Sequence, residues 1–346
     1  MAEKKKIIRK QKPKKIPIRC IAFFILMIIL LVLAIFFFIY SLLPEKSRNN
    51  NPEWGVTFSP RFAEELHLDW QNTFINMLDD LKLTDVRISA YWDEIEPANN
   101  QYDFEQLDWM INEVEKRDGK VVLAVGRKLL RWPECYEPDW VQDLMYDIKE
   151  KELLEMVETV VNRYKDRPVI DTWQVENEAL FPFGRCPKPN KEVFASEINL
   201  VQSLDPTRKV MLTDSGELST WLSVTKYADI LGITMYRDVS NPLLGDFHWA
   251  SPPAWYSKRA YLAEKRVEKV IVAEFQMEPW YNVPFTSVPV SEQHEKFSPE
   301  LFLENVEFAK DAGFEKYYIW GVEWWYYMDK HGYSDYLDLA KEFINK

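Results

Sequence analysis

The fold is decided by two stretches, Trp173-Gln174-Val175-Glu176-Asn177-Glu178 and Val272-Ala273-Glu274-Phe275. In each stretch a run of apolar or β-prone residues leads into a carboxylate, a pattern typical of the C-terminal end of a buried parallel strand. That end of the strands is where (β/α)8 barrels build their active sites. The two stretches therefore predict a barrel with carboxylates at its mouth.

The rest of the chain supports an α/β fold with eight strands. Short β-branched runs predict strands at 55–58, 85–89, 120–125, 169–175, 209–213, 230–234, 269–273 and 317–321. Apolar residues at helical spacing predict helices between many of them, for example at 153–164, 191–204, 299–312 and 336–344. Eight strands in one unit of about 290 residues favour a (β/α)8 TIM barrel over an open doubly wound sheet. No Gly-rich phosphate loop follows the first strand, which disfavours a dinucleotide-binding fold.

The first fifty residues differ from the barrel sequence. Residues 1–20 contain nine Lys or Arg and one acid, and residues 21–43 contain no charge. An apolar run of about 20 residues is long enough to span a bilayer, and we interpret it as an uncleaved signal anchor. The predicted organisation is a basic cytoplasmic segment at 1–20, a transmembrane helix at 21–43, a linker at 44–53 and the catalytic barrel at 54–346. A long, cleaved signal peptide is the alternative.

The charge distribution indicates the partners. The chain carries a net charge of −12, so the residues after the basic segment carry about −20. Nucleic-acid binding needs a basic face, and we therefore expect no nucleic-acid partner. The basic N-terminus predicts a single-pass protein with a cytoplasmic N-terminus and an extracytoplasmic barrel, in contact with membrane lipid through its helix.

Two cysteines would lie outside the cell, where disulfides persist. Cys135 and Cys186 fall on the loops after the third and fourth predicted strands, which are neighbours in a barrel. We predict a Cys135–Cys186 disulfide, with two free thiols as the alternative.

The strand-end carboxylates predict glycoside hydrolysis. Cleavage of a glycosidic bond needs an acid on the leaving oxygen and a carboxylate on the opposite face of the sugar. Glu178 ends the fourth predicted strand and Glu274 the seventh, on opposite sides of the mouth of an eight-stranded barrel. Asn177 is placed to bind a sugar hydroxyl. Glu176 is the alternative acid and Glu278 the alternative nucleophile.

With these motifs the chain resembles clan A of the glycoside hydrolases, the retaining barrels that include family five cellulases and barrel β-galactosidases. The resemblance implies that Glu178 is the general acid/base and Glu274 the nucleophile. It implies that Arg87 and Tyr236 support the nucleophile, and that Trp320 or Trp324 forms the aromatic floor of the −1 sugar subsite. The third strand departs from the pattern, since Gly126-Arg127-Lys128 stands where many clan members have a histidine.

The function predicted from the sequence is a retaining β-glycosidase that hydrolyses oligo- or polysaccharides, with a carbohydrate substrate and without a cofactor or a metal. An inactive barrel that binds surface glycans is the first alternative. A barrel enzyme of another class, such as an aldolase or a metal hydrolase, is the second. The preferred sugar and linkage cannot be read from these motifs.

Overall fold

The computed structural model describes residues 18–241 and 245–344. The chain divides into two compact units, Met1–Pro44 and Glu45–Lys346. In the first unit, helix α1 (Ile18–Ser41) contains a 19-residue stretch, Phe23–Ser41, that is long and apolar enough to cross a membrane. Most of the predicted basic segment, residues 1–17, lies outside the described residues.

The second unit is a closed barrel of eight parallel strands, which confirms the predicted (β/α)8 fold. The barrel strands are β1 (Glu53–Thr57), β2 (Asp85–Ser89), β3 (Lys120–Val125), β4 (Ile170–Val175), β5 (Lys209–Asp214), β6 (Ile230–Met235), β9 (Lys269–Gln276) and β10 (Lys316–Trp320). Around the barrel they follow the order β1-β10-β9-β6-β5-β4-β3-β2. The seventh and eighth strands of the barrel are thus β9 and β10.

Helices surround the strands. They are α2 (Pro60–Glu65), α3 (Trp70–Asp80), α4 (Trp92–Ile95), α5 (Glu105–Glu115), α6 (Asp139–Gln142), α7 (Tyr146–Tyr164), α8 (Lys191–Leu204), α9 (Pro253–Ala263), α10 (Val290–Lys296), α11 (Pro299–Ala312), α12 (Val322–Lys330) and α13 (Asp335–Ile344), with a 3-10 turn at Phe285–Ser287. Helix α11 shows why these boundaries are readable from sequence. Ser298 caps it by accepting a hydrogen bond from the Leu301 N–H, Pro299 begins it, and Gly313 ends it in the left-handed conformation (φ 73°).

Strand alternation separates the outer core from the barrel interior. On β4, Trp173 and Val175 belong to the large core between sheet and helices, whereas Gln174 points inward and binds Arg87. A separate apolar cluster comes from five different strands and so meets inside the barrel; it consists of Val122, Met211, Ile230, Ile271, Ala273 and Tyr318. Apolar side chains thus fill the lower interior, and polar side chains lie above them at the C-terminal ends of the strands.

An antiparallel hairpin that was not among the predicted strands follows β6. It forms from β7 (Asp238–Asn241) and β8 (Gly245–His248). Its residues are mostly polar, and those at 238–240 and 245–248 are half-buried or exposed, so the apolar runs by which strands were recognised are missing here.

Candidate active site

Glu274 lies near the end of β9 and is 4 % exposed. Its Oε1 accepts hydrogen bonds from both terminal nitrogens of Arg87, each at 3.2 Å, and its Oε2 accepts one from the Tyr236 hydroxyl at 2.9 Å. Both oxygens of this carboxylate are therefore held in place by donors from two other side chains. A buried carboxylate fixed in this way is suited to act as a nucleophile.

Arg87 connects β9, which carries Glu274, to the end of β4. It is fully buried on β2. Besides Glu274, it donates to Oε1 of Gln174 at 2.7 Å, to the carbonyl of Ala273 at 3.1 Å and to Oδ1 of Asn177 at 2.8 Å. The planar guanidinium fixes these groups from β4 and β9 in one geometry, which a lysine could not do.

Glu178 follows β4 on a short irregular segment and is 6 % exposed. Its backbone is left-handed (φ 45°), and its N–H donates to Oγ1 of Thr213 at 2.8 Å. Burial raises the pKa of the Glu178 carboxyl well above its usual range, and the negative charges of Glu274 and Glu134 raise it further, while Lys128 opposes them. A carboxyl group whose pKa is raised in this way keeps its proton to higher pH than usual and is suited to give it to a leaving oxygen.

The structure separates Glu176 from Glu178, although strand alternation predicts that they share a face. The strand ends at Val175, and both residues have a positive φ, so the alternation does not continue. The Glu176 carboxylate accepts hydrogen bonds from the backbone N–H groups of Arg127 and Lys128 and interacts with the Glu197 carboxyl on α8. Gly126 (φ 128°) allows this approach, since a Cβ there would lie 2.7 Å from the Glu176 carboxyl carbon.

Glu278 also belongs to a different group of charges. It pairs with Arg131, which also bonds to Glu323 at 3.0 Å. Burial raises the pKa of Glu278 to about 7, and Arg131 opposes that shift. The Arg131 guanidinium lies 3.7 Å from the Phe62 ring centroid and 4.2 Å from that of Trp320. Sequence reasoning missed this triad, because loops distant in sequence bring its members together.

The two tryptophan candidates lie in different surroundings. Trp320, at the end of β10, is 6.4 Å from Tyr236 between ring centroids and shares an apolar cluster with Trp280. Trp324 lies on α12, fully buried against Phe297 and Tyr336, with its indole N–H donating to Oε1 of Gln293 at 2.8 Å. Trp320 is thus the one of the two that the structure brings beside Tyr236, the tyrosine bound to Glu274.

Further aromatic side chains border the same mouth. The Trp280 ring is 5.1 Å from Tyr236 and 6.2 Å from Phe183, and Trp132, 59 % exposed, is 6.1 Å from Phe183. Aromatic faces of this kind stack against the apolar faces of sugar rings. Phe183 was not singled out from the sequence, because nothing in its neighbourhood marks a strand end.

Cys135 and Cys186 form a disulfide, as predicted, with their Cα atoms 5.3 Å apart. The bond joins the loop after β3 to the loop after β4, which carries Glu178. Within residues 18–241 and 245–344, no group of three or more His, Cys, Asp or Glu side chains is arranged to hold a metal ion.

Comparisons with known proteins bear on the fold and on the enzyme class. Residues 64–152 match the family model for beta-galactosidase (Glyco_hydro_42). The fold is similar to GH5_18 from Streptomyces cattleya in complex with GlcNAc (15 % identity, TM-score 0.52, covering 79 % of this chain and 71 % of that one). The chain resembles the clan A glycoside hydrolases.

The fold of this chain is also similar to two more solved structures. One is a GH10 endoxylanase retrieved from a sugarcane soil metagenome (14 % identity, TM-score 0.54, covering 79 % of this chain and 86 % of that one). The other is Gan42B, a GH42 β-galactosidase (11 % identity, TM-score 0.54, covering 87 % of this chain and 57 % of that one). No curated protein matches the chain. The matched family model and the clan A fold agree with the enzyme class predicted from the sequence, a glycoside hydrolase.

Proposed function

We propose that this chain is a retaining β-glycosidase that cleaves O-glycosidic bonds of oligo- or polysaccharides, with Glu274 as nucleophile and Glu178 as acid/base. The observation that carries the proposal is the different surroundings of two buried carboxyl groups at the strand ends. Glu274 accepts hydrogen bonds from Arg87 and Tyr236, whereas burial and neighbouring carboxylates raise the pKa of Glu178 well above its usual range. Glycoside cleavage needs one carboxyl group that is held for attack and another that gives a proton, and these surroundings suit Glu274 and Glu178 to the two roles.

In the first step, an oxygen of Glu274 forms a bond to the anomeric carbon while Glu178 gives its proton to the glycosidic oxygen. The bond between the anomeric carbon and that oxygen breaks, the alcohol leaves, and the sugar remains as an ester of Glu274. Arg87 and Tyr236 hold the attacking carboxylate in place before the reaction, so little reorganisation is needed.

In the second step, the Glu178 carboxylate takes a proton from a water molecule whose oxygen attacks the anomeric carbon. The ester bond to Glu274 breaks, and the product leaves with its original anomeric configuration. Asn177, held by Arg87 and by Thr213 at 3.0 Å, presents its amide next to the acid and is the group that we assign to a sugar hydroxyl. Trp320 is assigned to the floor of the −1 subsite because it lies beside Tyr236.

We also propose that residues 21–43 anchor the chain in a membrane, with residues 1–20 cytoplasmic, a linker at 44–53 and the barrel at 54–346 outside. The apolar stretch Phe23–Ser41 and the basic segment before it support this orientation. The Cys135–Cys186 disulfide also suits an oxidising compartment. Protease treatment of intact cells should degrade the barrel and leave an N-terminal tag protected. A mature N-terminus that begins after residue 43 would instead indicate a cleaved signal peptide.

The activity is tested with the full chain in detergent, a panel of aryl β-glycosides and a panel of polysaccharides. Glu178→Gln and Glu274→Gln should each abolish turnover of natural glycans, while Glu150→Gln, a buried carboxylate paired with Arg127, serves as the matched control. A 2-deoxy-2-fluoro glycoside of the preferred sugar should label the peptide that contains Glu274. Silence on both panels, together with measurable glycan binding, would favour the alternative of a binding barrel.

A further inference from the structure

The loop after β3 folds back on itself and brings two buried charges together. Lys128 and Cys135 form an antiparallel bridge, and the Leu129 N–H donates to the carbonyl of Glu134 at 2.7 Å. Within this turn, Nζ of Lys128 lies 3.2 Å from Oε2 of Glu134. Lys128 is 5 % exposed and Glu134 is 7 % exposed. Charges buried to this extent are costly to keep in a fold unless they are paired and hydrogen-bonded.

Lys128 also holds the segment that carries the acid. Its ammonium group donates to the carbonyl of Glu178 at 3.1 Å and to that of Phe181 at 2.9 Å. Its own carbonyl accepts a hydrogen bond from the Asn177 N–H at 2.6 Å. An ammonium group has three N–H donors. Two of them bind these carbonyls, and Glu134 lies beside the same ammonium group as its ion-pair partner. One residue of the β3 loop thus fixes three points of the segment 177–181.

The acid's backbone needs such support. A residue with a side chain is strained in the left-handed conformation and keeps it only where its surroundings hold it. Glu178 has this conformation. The two loops are tied further by the Cys135–Cys186 disulfide and by the Arg185 N–H, which donates to the carbonyl of Pro133 at 3.0 Å. Glu134, between Pro133 and Cys135, is therefore held in place beside the acid.

We propose that Lys128 is the positioning residue of the acid Glu178, and that its counterion Glu134 sets the electrostatic environment of that acid from a fixed place in the β3 loop. This inference rests on the proposed function, since it assigns the groups that support the same acid. The pair occupies the end of the third strand, where Gly126-Arg127-Lys128 departs from the histidine common in clan A. Lys128 and Glu134 therefore have a role at the place where the sequence differs from the clan pattern.

The charges that face Glu178 come from three elements. Glu274 lies on β9, Asp214 at the end of β5, and Lys128 and Glu134 on the β3 loop. Glu134 and Lys128 act on Glu178 in opposite directions. Removing the negative charge of Glu134 leaves Lys128 unopposed, so the pKa of Glu178 should fall. Removing Lys128 leaves Glu134 buried without a partner, and Glu134 then takes up a proton. The positive charge of Lys128 and the negative charge of Glu134 therefore disappear together. The main loss is then that of the hydrogen bonds from Lys128.

The test compares pH profiles of kcat/KM for the full chain in detergent, with an aryl β-glycoside that the parent hydrolyses. Glu134→Gln should move the alkaline limb to lower pH by about one unit, the low end of the shift that a neighbouring charge causes. Lys128→Met should lower kcat at least tenfold with a smaller change in KM, and the double variant should match Lys128→Met. Glu150→Gln is the control and should keep the parent's alkaline limb. A Glu134→Gln limb that coincides with the parent's, or a Lys128→Met kcat within twofold of the parent's, would overturn the proposal.

A second readout does not depend on activity. In ¹³C NMR of the carboxyl-labelled glutamates, the signal lost in Glu178→Gln identifies Glu178, and its titration should move to lower pH in Glu134→Gln. If the parent chain hydrolyses no glycoside, the proposed function is wrong. A shift of the Glu178 titration in Glu134→Gln would still support the electrostatic relation between Glu134 and Glu178. An unshifted signal would overturn that relation whether or not the chain is active. Glu134→Gln keeps the Lys128 hydrogen bonds to the main chain, so it tests the proposal even if Lys128→Met fails to fold.

Discussion

The guanidinium of Arg87 donates from both of its terminal nitrogens to one oxygen of Glu274, and each of these contacts is 3.2 Å long. Burial of the two side chains is nearly complete, with 0 % and 5 % of them exposed. In such surroundings a charge pair is screened little by water, so the interaction is much stronger than on a surface. Because Arg87 also binds Asn177, Glu274 and the segment that carries Glu178 share one rigid support.

Arg87→Lys is expected to reduce kcat/KM by about 100-fold or more, the cost typical of removing one preorganised electrostatic contact in an active site. Lysine keeps the charge, but it cannot donate at once to the groups that Arg87 binds. Steady-state kinetics with an aryl β-glycoside measure the loss. Arg117→Lys is the matched control, since Arg117 pairs with Asp79 and Glu113 on the outer helices. Equal losses in both variants would mean that Arg87 acts only on stability.

The rate is expected to follow a bell-shaped pH profile whose alkaline limb belongs to Glu178. The pKa of this acid is raised well above its usual range, first by burial and then by Glu274. Because the protonated form reacts, kcat/KM should stay high up to that raised pKa and fall as the pH rises through it. Glu178→Gln, assayed with an aryl glycoside whose leaving group needs no acid, should lose the alkaline limb. A profile that is flat from pH 4 to 9 would contradict the assignment of the pair.

The barrel could be predicted because its signals are local. Each strand is a short apolar run, and helices such as 191–204 and 299–312 were predicted with the bounds that the structure has. Arg87, Glu178, Glu274 and Tyr236 could be singled out as candidates because strand ends converge in a barrel and because the motif resembles a known clan. The hairpin β7–β8 has no comparable apolar run, and it was missed.

The remaining parts of the site depend on contacts between loops. Lys128 and Glu134 meet only because the β3 loop folds back, and Arg131 reaches Glu278 and Glu323 across the barrel mouth. The different positions of Trp320 and Trp324 follow from the strand ending at Trp320, after which α12 turns Trp324 into the core. Sequence periodicity does not show to within a residue where a strand stops. These contacts and positions therefore became visible only in the three-dimensional structure.

Trp320→Phe and Trp324→Phe are expected to have different effects. Trp320→Phe should raise KM or lower kcat severalfold, because it shortens the aromatic surface beside Tyr236. Trp324→Phe removes the hydrogen bond to Gln293 in the core and should lower the free energy of unfolding by about 1–3 kcal/mol, a range typical of core substitutions. Kinetics at 25 °C and denaturant titration measure the two effects. A loss of kcat/KM in Trp324→Phe at unchanged stability would assign the sugar subsite to Trp324 instead.

Glu197→Gln is expected to make the chain less sensitive to alkaline pH. Burial, together with the charge of Glu176, raises the pKa of Glu197 well above its usual range, and burial also raises the pKa of Glu176. The unfolded chain therefore releases these protons first as the pH rises above about 4.5. The stability that the protonated pair contributes is present at acidic pH and is lost as the pH rises towards the raised pKa values. Glutamine is neutral at every pH and can still donate to Glu176.

The free energy of unfolding should consequently fall less between pH 5 and pH 8 in Glu197→Gln than in the parent. Glu192→Gln, on the exposed first turn of the same helix, is the control and should show the parent's dependence on pH. Denaturant titrations of all three proteins in detergent at the two pH values measure the difference. An identical fall in Glu197→Gln and in the parent would mean that Glu197 and Glu176 do not share a proton in the folded chain.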